Sequence, residues 1–200
     1  MYVVHHKDIP VYRFPDPQAF AAWLDEHAEE SEAIWLQFAK KGSGQTTITY
    51  IEARDVGLCY GWIDSVKNSF DDTYFLNKFS QRRKKSVWSQ VNVGVIEKLI
   101  AEGKMKPRGM REVEAAKADG RWDQAYAPQS TATVPEDLQA AIDASPRAKE
   151  FFSTLKGASR YAFIFRLISV TDPEKRATKI QQYVQQLENG EAPHLFQSKK

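Results

Sequence analysis

The chain has 200 residues, 42% hydrophobic and 27% charged, with a formal net charge of +2, the balance of a globular protein with a sizeable core of its own. Mean hydropathy is −0.54, and apolar runs such as Tyr161–Phe165, which stops at Arg166, fall far short of the roughly 20 residues of a membrane-spanning helix. A pI near 8.5 is milder than that of dedicated nucleic-acid domains, and one cysteine, Cys59, excludes an internal disulfide and a cysteine-cluster metal site.

The N-terminus, Met1–Asp8, lacks the charged-then-apolar layout of a secretory leader, so a cytoplasmic protein is expected. A strand is predicted over Val11–Phe14, ended by Pro15. Asp16 then caps a helix with Pro17 at its first position. Phe20, Trp23, Leu24 and His27 share one face of that helix, and His27 reads as a core-edge residue. Ala33–Ala39 alternates as a strand does, with Ile34, Leu36 and Phe38 on one side and Ala33, Trp35 and Gln37 on the other. The loop Lys40-Lys41-Gly42-Ser43-Gly44 carries two cations but no Walker spacing. Thr49 and Glu52 form a capping box for a helix running to about Tyr60. On that helix Asp55 shares a face with Ile51, Leu58 and Cys59. A buried carboxylate needs a partner, either structural or part of a site.

Cys59–Ser65 alternates again, which places Cys59, Gly61, Ile63 and Ser65 on a small apolar side and Tyr60, Trp62 and Asp64 on the other. A turn at Asn68–Asp72 leads to a second strand-like run, Thr73–Phe79. Five cations fall between Lys78 and Lys85 without an acid among them, and Trp88 follows. Ser89 caps the next helix, with Val91, Val95, Ile96, Leu99 and Ile100 as its buried stripe and Gly103 as its stop. The helix from Pro107 to about Asp119 is thin in apolar residues and reads as a surface helix, with Trp122 packing its end onto the body. Ala127–Val134 is a linker rich in turn residues. Beyond it, helices open at Pro135, Pro146, Ser159 and Pro173, and Asn189-Gly190 ends the last.

These elements predict an α+β fold: a small, mainly antiparallel sheet from about residues 11–14, 33–39, 59–67 and 73–79 with packed helices, followed by a C-terminal helical subdomain. The expected boundaries are 1–126 for the α+β domain, 127–134 for the linker and 135–200 for the helical part. His5, His6, His27 and His194 lie away from any nucleophile elbow, which disfavours a Ser-His-acid triad. No metal site and no cofactor is expected. What remains is an aromatic face beside a basic loop, and it predicts a pocket for a small anion. Its candidate residues are Trp35, Lys40, Tyr60, Trp62, Asp64, Arg82, Arg83 and Trp88, since arginine grips phosphate or carboxylate through paired N–H groups. Two alternatives stay open: an enzyme using Asp55 or Asp64 as general base, and nucleic-acid contact through Lys78–Lys85 with Trp88 stacking.

Cys59-Tyr60-Gly61-Trp62-Ile63-Asp64-Ser65, Tyr74-Phe75, the run Arg82 to Ser89, Lys98 to Gly103, Ala116 to Trp122 and the tail Pro173 to Ile180 together resemble the bacterial YdeI/OmpD-associated, or bacteriocin-protection, family. The part from about Val134 is similar to the small helical module that gives this family its name. The resemblance implies a role in protection against bacteriocins or cationic antimicrobial peptides. It implies a periplasmic place for some members and supplies no catalytic residues.

Overall fold

The computed structural model describes residues 4–193; His194 and the first three residues lie outside that range. The fold is α+β, as expected, and the chain divides into two compact units. One holds the chain up to Trp88 together with Asn92–Gln124; the other holds Ser89–Val91 and the chain from Ala125 onward.

The first unit is built on a five-stranded sheet of order β1-β2-β3-β5-β4. A short hairpin comes first, β1 (His5–His6) and β2 (Ile9–Tyr12), turned at Lys7 and Asp8, which both hold positive φ, 51° and 60°. Helix α1 (Pro17–His27) carries the chain to β3 (Ala33–Ala39), which pairs in parallel with β2. Asp16 caps α1 by accepting from the Ala19 N–H at 2.8 Å. The helix buries Phe20 and Leu24 against the sheet face that carries Ile34, Leu36 and Phe38.

Helix α2 (Tyr50–Cys59) opens with the expected capping box. It stops one residue short of Tyr60, and Gly61 takes a φ of +70°, a conformation that costs glycine nothing. Strand β4 (Trp62–Ser69) therefore begins at Trp62 and forms an antiparallel hairpin with β5 (Tyr74–Gln81), which also pairs antiparallel with β3. This corrects the reading of Cys59–Ser65 as one alternating run. The left-handed turn at Gly61 separates helix from strand, so Trp62 points into the core. It is fully buried and donates from Nε1 to the Ala28 carbonyl at 3.2 Å.

Helix α4 (Pro107–Ala118) and helix α3 (Gln90–Ala101) from Asn92 onward complete the unit. On α3, Ile96 and Leu99 are buried, but Val91 and Ile100 are 45% and 37% exposed. The expected five-residue stripe is thus only partly covered. Helix α4, expected on the surface, buries Val113 and Ala116 completely. It comes in close because Gly109 has no side chain: a Cβ there would lie 2.1 Å from the Cys59 carbonyl oxygen. Trp122 packs on Trp88 with ring centroids 5.0 Å apart.

The second unit is helical: α5 (Glu136–Asp143), α6 (Pro146–Thr154), α7 (Gly157–Ile168) and α8 (Pro173–Glu188). Leu138, Ile142, Ala148, Phe152, Phe163, Leu167, Ile180, Tyr183 and Leu187 form its core. Helix α7 is central, as its apolar run implies, with Tyr161 through Ile164 and Leu167 buried. Ser145 and Asp172 cap α6 and α8, each followed by proline at the first helical position.

Candidate functional site

The cation run after β5 opens onto a cleft of about 710 Å³ in the first unit. Five elements contribute to it. The β1–β2 turn supplies Asp8, the entry to β3 supplies Glu32, and β5 supplies Lys78 and Ser80. The loop beyond β5 supplies Arg82, Arg83 and Lys84, and α4 supplies Arg108 and Glu112. Five cations thus face three carboxylates, and the cleft is electropositive.

Two of the arginines are held in place. The Arg82 backbone N–H donates to the Gly61 carbonyl at 3.0 Å. Its guanidinium lies 3.6 Å over the Trp88 ring and donates to the Val87 carbonyl at 3.0 Å. The residue is 5% exposed, so its charge sits at the cleft wall with a fixed orientation. Arg108 is clamped by Glu29, which Arg111 also contacts at 2.7 Å. Burial works to raise the Glu29 carboxyl, but the hydrogen bond from Arg111 and the charges of Arg108 and Arg111 outweigh it and hold that carboxyl below its ordinary range. The Arg108 Nε is buried without a hydrogen-bond partner. By contrast, Lys78, Arg83 and Lys84 take part in no salt bridge among the described residues. Arg83 is exposed, and its backbone N–H is fixed by the Ser86 hydroxyl at 3.1 Å.

The cleft gathers only part of the residue set expected from the sequence: Arg82 and Arg83 line it, and the aromatic residues do not. Trp35 is 2% exposed, donates from Nε1 to the His6 carbonyl at 2.9 Å and is covered by the His6 ring. Trp62 and Trp88 are sealed in the interior. Tyr60 donates its hydroxyl to Asp25 at 2.8 Å, and burial together with that bond pushes the phenol well above its ordinary range. Large rings with an apolar body gain more from the core than from a rim, which is why a rim of exposed rings does not form. With its face under the Arg82 guanidinium, Trp88 has no surface on which a base could stack.

The remaining candidates lie elsewhere. Lys40 donates to the Asp71 carbonyl at 2.6 Å and belongs to a separate basin with Lys41, Lys67 and Phe75. Asp64 accepts the Tyr50 hydroxyl at 2.8 Å and lines none of these openings. Asp55 has the partner its position required: Arg54 grips its Oδ1 through two N–H groups at 2.9 and 2.7 Å. Sequence reasoning missed Arg108, Glu112, Asp8 and Glu32. For the α4 pair a signal existed, since Arg108 and Glu112 stand one helical turn apart on one face. Among the described residues no three His, Cys, Asp or Glu side chains converge as a metal site would need, and no helix is long and apolar enough to cross a membrane.

Comparison with known proteins gives two matches. Residues 12–112 match a family model described as "Domain of unknown function (DUF8412)". Residues 131–190 match one described as "Bacteriocin-protection, YdeI or OmpD-Associated", so the family resemblance read from the motifs is borne out over the helical part of the chain. No curated protein and no solved structure matches.

Proposed function

We propose that this chain, which belongs to the DUF8412 family through residues 12–112, is a bacterial protection protein that binds a small, multiply charged anion in the cleft between β5, the Arg82–Lys84 loop and α4. The protection role rests on the description of the family model that matches residues 131–190. The chemistry rests on one observation: two arginines oriented by their own partners, Arg82 by Trp88 and Arg108 by Glu29, stand in a cleft with Lys78, Arg83 and Lys84, which enter no salt bridge among the described residues.

That arrangement suits an anion for a physical reason. The fixed guanidinium groups lose little side-chain freedom when a ligand arrives, so more of each charge-assisted hydrogen bond, about 1.5–3 kcal/mol, contributes to affinity. Lys78, Arg83 and Lys84 add charge that salt screens. Two or more anionic groups on the ligand match the spread of cations better than one.

The test is a thermal-shift and calorimetric titration with inorganic phosphate, pyrophosphate, sulfate and citrate. The wild type is compared with a Lys78→Ala/Arg83→Ala double variant, chosen because neither side chain holds the fold together. A ligand present at 100 times its Kd stabilises the folded state by about 2.7 kcal/mol, and the double variant should lose most of this. Equal midpoints for wild type and variant with every anion would reject the cleft as the binding site. In cells, the same variant should fail to restore bacteriocin tolerance to a strain lacking the gene.

A further inference from the structure

The first unit holds a second opening, about 650 Å³, bounded by α1, α2, α3 and the turn after α3. Ala21, Ile51, Val56, Cys59, Val95 and Leu99 give it an apolar lining, and Ile51 is 52% exposed. Its charges are organised unlike those of the basic cleft. Arg54 is paired with Asp55 at 2.7 Å. Glu102 is paired with Lys104 at 2.8 Å and with Lys98 at 3.7 Å. Glu52 is occupied by the Thr49 amide and hydroxyl in the capping box. Three cations and three carboxylates therefore line one opening, and each cation has a carboxylate beside it.

We infer that this opening binds a short zwitterionic peptide with apolar side chains. A simple anion would have to compete with Asp55 and Glu102 for cations they already hold, and a simple cation would face the same contest in reverse. A molecule that carries both signs meets both members of each pair without displacing either. Its ammonium and carboxylate each lose water on entry, and each finds an opposite charge on the rim in return. The partners are accessible: the Asp55 and Glu102 side chains are 35% and 34% exposed, and that of Lys104 is 63% exposed. The peptide ammonium would be received by Asp55 or Glu102 and its carboxylate by Arg54 or Lys104, with its side chains against Ile51, Val95 and Leu99. The opening lies in the range typical of small-molecule pockets, about 300–1,000 Å³, and is larger than a single amino acid needs. Cys59 contributes surface and no chemistry, because burial, with Asp55 nearby, pushes its thiol up to about 11.

The experiment uses the full chain, isotope-labelled, titrated with the tripeptide Leu-Leu-Leu and with its N-acetylated and C-amidated forms. Amide shifts locate the ligand and calorimetry measures it. Saturable binding by the free tripeptide is expected, with shifts concentrated on α1, α2 and α3, and with each capped form weaker by about tenfold or more. Ile51→Asp is the variant of choice, because an acid in the first turn of α2 is compatible with folding and places charge on the apolar lining. It should weaken binding about tenfold, and Lys104→Gln should do so for the C-terminal carboxylate alone, with no added effect on the amidated form. Lys78→Ala/Arg83→Ala should leave the affinity unchanged. No binding up to about 5 mM, equal affinity for free and capped peptides, or shifts centred outside these three helices would each overturn the assignment.

Discussion

Replacing Gly109 by alanine tests how tightly α4 is seated on the end of α2. A Cβ built at Gly109 lies 2.1 Å from the Cys59 carbonyl oxygen, 2.8 Å from the Cys59 carbonyl carbon and 3.0 Å from the Leu58 oxygen. All three are backbone atoms and cannot turn aside as a side-chain end can. Carbon and oxygen ordinarily approach to about 3.3 Å, so α4 must retreat by roughly 1.2 Å. The same Cys59 carbonyl accepts the Lys106 N–H at 3.1 Å, and that bond, worth about 1 kcal/mol net, goes with it. Overpacking adds about 1–3 kcal/mol, against a gain of at most about 1 kcal/mol from the better helix propensity of alanine. The expected loss is therefore about 1–3 kcal/mol. Gly94 in α3 is the control, since nothing lies within 4 Å of its Cβ position; alanine there should stabilise by about 0.5–1 kcal/mol. The assay is urea or thermal unfolding followed by tryptophan fluorescence, which reports the first unit alone because all five tryptophans belong to it. At about 2–4 °C per kcal/mol for a chain of this size, Gly109→Ala should unfold roughly 2–12 °C below the wild type and Gly94→Ala a few degrees above it. Equal or raised stability for Gly109→Ala would refute the close approach of α2 and α4.

Two further outcomes follow from the titratable groups. In the second unit Arg176 hydrogen-bonds both oxygens of Asp137, at 2.5 and 3.1 Å, and also reaches the Leu167 carbonyl at 2.9 Å. That pairing, chiefly the Arg176 hydrogen bond, holds the Asp137 carboxyl below its ordinary value. A lowered folded pKa stabilises above the unfolded value near ~3.9 and loses that contribution as pH falls through the depressed value. Acid unfolding of the second unit, followed by circular dichroism, should therefore be less steep below about pH 4 in Asp137→Asn; an unchanged acid limb would remove the pair from the account. Cys59, 6% exposed with its thiol raised to about 11 by burial, should react with a disulfide reagent at pH 8 about a hundredfold more slowly in the native protein than in urea. Rapid native labelling would contradict its burial.

Much of the fold was legible locally. Asp16 and Thr49 are hydrogen-bonding caps that act within three residues, so the starts of α1 and α2 follow from the sequence. The alternation of Ile34, Leu36 and Phe38 names the core side of β3 without any neighbour. The run from Tyr161 to Leu167 implies a helix buried on most sides, and α7 is one. Trp62 shows where local reading stops. Its strand begins after a left-handed turn at Gly61, and a change of period from helix to strand resets which side faces inward. The binding residues divide the same way. The cation run was visible, but whether its arginines meet a ring, a carbonyl or solvent depended on what folded against them. Trp88 turned out to be the support of Arg82 and not a platform for a ligand.

The sequence by itself determined the α+β class, the caps, the helical second half and the presence of a concentrated positive charge, because each of these arises from residues a few positions apart. Only tertiary structure decided that Arg108, about 25 residues beyond the cation run, completes the basic cleft, that α4 is seated closely through Gly109, and that α3 leaves an apolar opening beside Asp55. Those outcomes depend on the distance between elements remote in the chain. That distance is set by backbone atoms and side-chain volumes meeting in three dimensions, which no local pattern records.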